Sequence, residues 1–141
     1  MALGNLTYKT PNPINQIEQD LSASEGCGVT LTAQATIDLA TAQTEKPYGI
    51  LVVGSDSVTP GTYPSLIAAS ALELVDAYGA VVQALAGTGG VNAGNLVLVD
   101  TDGSFITTGA AASDYIWGMA LTDAAAGEQF LLRFTPYLIQ P

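Results

Sequence analysis

Between residues 93 and 134 no apolar run goes far before glycine or aspartate interrupts it. Leu96-Val97-Leu98-Val99 ends at Asp100 and Gly103, and Ile116-Trp117-Gly118-Met119-Ala120-Leu121 ends at Asp123 and Gly127. Gln129-Phe130-Leu131-Leu132-Arg133-Phe134 comes next. Runs this short cannot form helices of ordinary length, whereas strands joined by tight turns need only a few residues each. This grammar predicts an all-β fold.

A chain of 141 residues has the length of one domain. Only 11% of its residues are charged, and acidic residues outnumber basic ones 13 to 3, for a net charge of −10. Nucleic-acid binding works by releasing counterions through clusters of Lys and Arg. Lys9, Lys46 and Arg133 form no such cluster, so neither nucleic acid nor an anionic membrane surface is an expected partner. No apolar run approaches the length of a membrane helix. Residues 1–9 lack a basic start followed by an apolar core, so no secretory signal is expected. A surface of Thr, Ser, Gln, Asn, Ala and Gly suits an assembly subunit, because few charges lose water when neighbours dock. It suits an ordinary small-residue β domain equally well.

Residues 1–27 stand apart from the rest of the chain. Thr10-Pro11-Asn12-Pro13 cannot lie inside a helix. Ile14, Ile17 and Leu21 make a narrow apolar stripe too short to hold a helix alone. The segment reads as an extended N-terminal arm that orders against a partner, anchored by Leu6, Tyr8, Pro11, Pro13, Ile14 and Ile17. A loose terminus is the plainer alternative. Residues 28–141 then form the β domain.

Val29, Leu31 and Ala33 alternate with Thr30 and Thr32, which predicts a strand with threonine outward. Ile37 and Leu39 suggest another. Gly49-Ile50-Leu51-Val52-Val53 is a continuous apolar run, as expected of a strand buried on both faces. Residues 62–68 read as an edge strand because of Pro64. Residues 72–85 are ambiguous: Leu74, Tyr78, Val81, Val82 and Leu85 recur at helical spacing, yet Asp76-Ala77-Tyr78-Gly79 reads as a turn between two strands. Asp100-Thr101-Asp102-Gly103 closes a hairpin between residues 96–99 and 105–108. Thr135-Pro136 should end the last strand. A loose echo links Gly49-Ile50-Leu51-Val52 with Gly118-Met119-Ala120-Leu121; two related half-barrels would explain it, and chance turn composition explains it about as well.

No histidine is present, which removes the commonest general base and metal ligand. No nucleophile elbow or phosphate loop occurs. Asp100-Thr101-Asp102-Gly103 resembles the opening of a calcium loop, but its twelfth position is Ala111 rather than glutamate. These carboxylates therefore read as turn residues that accept from nearby amides. Cys27 is alone, so it cannot form an intrachain disulfide or a zinc cluster. Trp117, in an apolar strand, is expected to pack in a core or between subunits. No enzyme activity, catalytic residue, cofactor or metal is expected.

The order of features after Val29 resembles the capsid decoration (cement, or head-stabilisation) proteins of tailed bacteriophages. The resemblance runs through Gly49-Ile50-Leu51-Val52, Ala80-Val81-Val82-Gln83-Ala84 and Ala93-Gly94-Asn95-Leu96-Val97. It is sharpest at Gly118-Met119-Ala120-Leu121-Thr122-Asp123-Ala124-Ala125-Ala126-Gly127-Glu128. One departure is the longer first turn, residues 55–61, with Pro60 where the family has alanines. The resemblance implies a small β-barrel or tulip-like domain, a homotrimer made in the host cytoplasm and carried on the outer capsid surface of the virion. It also implies the major capsid protein as partner, and favours a hairpin at residues 72–85. A carbohydrate- or receptor-binding β module of a phage tail or fibre is the other expectation.

Overall fold

Glycine and aspartate do divide the chain into short strands. The computed structural model describes residues 16–17, 21, 23–33, 36–53, 73–107 and 110–141. Among these residues there are ten strands and no helix. In chain order they are β1 (Gln16–Ile17), β2 (Gly28–Ala33), β3 (Thr36–Leu39), β4 (Gly49–Val53) and β5 (Glu73–Val75), then β6 (Val81–Leu85), β7 (Leu96–Val99), β8 (Phe105–Ile106), β9 (Tyr115–Ala120) and β10 (Gln129–Leu138). The protein is all-β, as its grammar predicts.

The strands form two five-stranded sheets, ordered β1-β3-β2-β4-β5 and β6-β10-β9-β7-β8. Each sheet uses one contiguous half of the chain. The expected barrel is not present as a closed cylinder. Instead the second sheet curls until a single parallel bridge, Ala86 to Phe105, joins its two ends.

The sequence echo marks a real structural repeat. In the first half β2 pairs with β3 and β4, and β4 with β5, all antiparallel. The second half repeats this with β7, β8, β9 and β10. The registers coincide: Gly28 faces Ile50 and Val29 faces Gly49, as Leu96 faces Met119 and Val97 faces Gly118. The entry turns match as well. The Gly26 amide donates to Leu51 O at 2.7 Å and the Leu51 amide to Cys27 O at 2.9 Å, while Gly94 to Ala120 O and Ala120 to Asn95 O measure the same 2.7 and 2.9 Å. Both turns need left-handed backbone, and Gly26 (φ 86°) and Gly94 (φ 88°) supply it. Even the parallel β1–β3 pair has its counterpart in the Ala86–Phe105 bridge.

The halves stack in one direction. A large core gathers Trp117, Phe105, Phe130, Leu132 and Phe134 on the inner face of the second sheet, and Ile50 and Ala40 of the first half pack into it. A smaller core of Leu21, Val29, Ile37 and Leu51 lies on the other face of the first sheet. Ile50 and Leu51 therefore point into different cores, and β4 is buried on both faces as its continuous apolar run predicts.

Three local expectations need correction. Residues 72–85 are strand, turn and strand, yet β5 pairs with β4 and β6 with β10, so they cross between sheets rather than form a hairpin. The alternation in β2 fails after Val29. Thr30 is buried with its hydroxyl donating to Lys46 O at 2.9 Å, while Leu31 is 48% exposed. A register shift between Leu31 and Ala33 accompanies the change. Finally, β10 runs past Thr135 and Pro136 to Leu138, with the proline in a register shift where no ladder amide is needed. The strand expected at residues 62–68 lies outside the described residues.

Candidate functional site

Of the expected arm anchors, Leu6, Tyr8, Pro11, Pro13 and Ile14 lie outside the described residues. Ile17 is placed: it belongs to β1, in parallel register with Ile37 of β3. Leu21, further along the same segment, is fully buried in the smaller core.

The acidic turns serve their own backbone. Asp100 accepts from the Thr101 amide at 2.8 Å, and Asp102 accepts from the Ser104 amide at 3.0 Å and from the Ser104 hydroxyl. The Thr101 amide, followed by donors from Thr88, holds the Asp100 carboxyl below its ordinary range. Asp123 accepts from the Ala93 amide at 2.7 Å, and Glu128 from the Ala125 amide at 3.1 Å. Among the described residues no three acidic or cysteine side chains converge as metal ligands would. Trp117 is a core residue, stacked edge-on against Phe105 at 5.5 Å, and among the described residues its Nε1 has no hydrogen-bond partner. Burial, and then the nearby Asp102 and Glu25 carboxylates, push the Cys27 thiol up to about 11.

The surface feature the residue types did not announce is the outer face of the second sheet. Val82, Ala84, Phe130, Leu132, Phe134, Gly118, Ala120, Val97 and Val99 occupy its inner side. Alternation then sends Val81, Leu131, Arg133, Met119, Leu96 and Leu98 outward. Register aligns Val81, Arg133, Met119 and Leu96 in one row across β6, β10, β9 and β7. At spacings of about 4.8 Å the row spans roughly 14 Å. Its apolar members are 39–47% exposed, and Leu131 beside them is 37% exposed. An outer sheet face normally carries polar side chains, so this mostly apolar row is the candidate site.

Next to the row lies an open groove of about 440 Å³, lined by Leu96, Leu98, Ile116 and Tyr137 among others. Leu98 and Ile116 are each 1% exposed but belong to neither core, so the outer face carries packing of its own. No Asp or Glu occurs in β6 to β10. The one charge is Arg133, whose guanidinium donates to Gly79 O at 3.2 Å. A signal was present in Leu96-Val97-Leu98-Val99, which does not alternate and so supplies apolar side chains to both faces.

Two like half-sheets, one stacked on the other, define the class of fold. No family model matches the chain, and neither does any curated protein. Among solved structures the fold is similar to the N base of the head fiber gp8.5 of bacteriophage phi29, with a TM-score of 0.61 and 18% sequence identity. The match covers 86% of this chain and 90% of that one. At that identity what is shared is the fold.

Proposed function

We propose that this chain is a structural protein of a bacteriophage virion, carried on the outer surface of the head, where it binds the major capsid protein and stabilises the expanded shell. The observation that carries this reading is a fold shared over 86% of the chain with a phage head fiber base. The cement-like grammar of residues 118–128 supports it independently. The protein acts by surface shape, as a homotrimer, without catalysis, cofactor or nucleic acid, which suits its net charge of −10. Residues 1–15, the part of this segment ahead of β1, serve as the arm that adds main-chain hydrogen bonds to the shell, as strand addition does elsewhere, while Ile17 and Leu21 belong to the domain's own sheet and core.

Co-sedimentation with expanded phage heads that lack the protein tests the reading, and saturable binding is the expected result. Failure of the full-length chain to pellet with heads would overturn it. Full-affinity binding after deletion of residues 1–15, which leaves β1 in place, would remove the arm from the proposal and leave the rest standing. A second reading, a carbohydrate- or receptor-binding module, gains from the neighbour being part of a fiber and from the exposed Tyr78 and Tyr137. A glycan-array screen showing specific binding, with no pelleting on heads, would favour that reading instead.

A further inference from the structure

The internal repeat shows what the exposed row is built to do. In the first half, the residues at the outward positions are Gly28, Ile50 and Val75, in register across β2, β4 and β5. Their counterparts in the second half are Leu96, Met119 and Arg133, in register across β7, β9 and β10. The first set is not exposed to water. Ile50 is fully buried in the large core, Val75 packs against that core, and Gly28 sits so close to Trp117 that a Cβ would come within 2.7 Å of the indole. The outer face of one half is thus an interface with the inner face of the other. On the equivalent face of the second half, which is already apolar, Val81, Leu96 and Met119 remain 39–47% exposed.

We propose that this face, centred on Met119, Leu96, Val81 and Arg133, is where a second copy of this chain docks. The proposal rests on the homo-oligomer part of the proposed function and names the surface that forms it. Three observations select a second copy as the occupant. The molecule itself demonstrates that a unit of this fold packs against such a face. The strands of this face carry no carboxylate, so docking here strips none of its own acidic side chains of water, which matters when each partner carries a net charge of −10. The face's single cation complements a neighbour whose turns are rich in aspartate and glutamate, and among the described residues no carboxylate of its own chain pairs with it.

The geometry also selects the kind of contact. A two-fold axis through the row would bring two Arg133 guanidiniums together. A head-to-tail contact avoids that meeting and sets Arg133 against the neighbour's acidic turns, and contacts of this kind form rings where the rotation between copies closes. Such a ring is compatible with three copies.

Light scattering and sedimentation velocity on the full chain, over a dilution series, test this. The expected result is an oligomer for the natural sequence. Met119→Asp and Leu96→Asp, each retaining a cooperative melt and β-type circular dichroism, should weaken association at least about tenfold, as loss of a central interface residue does. Arg133→Gln should weaken it and also flatten its salt dependence. If the natural chain is oligomeric and the Met119 and Leu96 variants keep its mass, the assignment of the face is wrong and the oligomer stands. If the natural chain is a monomer throughout, both fail. If Met119→Asp keeps the mass but abolishes pelleting with heads, the face belongs to the shell and not to a second copy.

Discussion

Gly28 and Leu96 occupy equivalent positions in the two halves, and their difference in size reflects what each one meets. At Gly28 a side chain would press into the ring of Trp117 and the edge of Phe105. At Leu96 the outer face is open and leucine is 40% exposed. Gly28→Ala should therefore destabilise by about 1–3 kcal/mol, the usual cost of overpacking, and lower the midpoint of thermal unfolding. Cys27, one residue away, gives a second test. Its thiol titrates at about 11 in the fold against 9.0 for the ordinary group, so the native state holds a proton that the unfolded chain loses first. Stability from this source is complete below about 9 and disappears as pH rises toward about 11. Denaturant midpoints measured across that window should fall more steeply for the natural chain than for Cys27→Ala. Alkylation of the native protein at neutral pH should be slow, since the thiolate is the reactive form.

Individual strands were more legible than their partners. Glycine and aspartate located the turns because their backbone and side-chain chemistry acts over a few residues, and the hairpin of β7 and β8 came directly from that. The pairing of β5 and β6 with different sheets was not legible, since the turn at residues 76–80 has the same composition whether its strands meet or part. Nor was the burial of Thr30, which depends on the Lys46 carbonyl reaching it from another segment. Pro136 suggested an ending, but a register shift absorbs its missing amide. The echo of Gly49 with Gly118 was legible, and its cause is now visible. A Cβ at Gly49 would lie 3.0 Å from the Val75 carbonyl oxygen, and one at Gly118 would overlap the equivalent carbonyl of Arg133. Each glycine lets a neighbouring strand approach at a matched position. Gly118→Ala should cost about 3 kcal/mol or more, because neither backbone can yield without breaking the β9–β10 register, and Gly49→Ala should cost less. Chemical denaturation of the two variants side by side checks the order.

For the whole molecule, the candidate site was the least legible feature. Charge and composition pointed to surface recognition, but the apolar row is assembled from four strands whose order no local signal encodes. If copies associate through it, unfolding is linked to dissociation, so the melting temperature should rise with protein concentration. A melt independent of concentration would speak against association.

The division of the chain between the sheets has a separate consequence. Residues of the first sheet all precede those of the second, and the crossing between them is short, with Asp76, Ala77 and Tyr78 exposed and Tyr78 at 75%. Away from that link, Ile50, Ala40 and Gly28 hold the halves together through side chains and close packing. The polypeptide should therefore tolerate being cut. Two fragments divided between Ala77 and Tyr78 and produced in the same cell should find each other and copurify, rebuilding the fold by complementation.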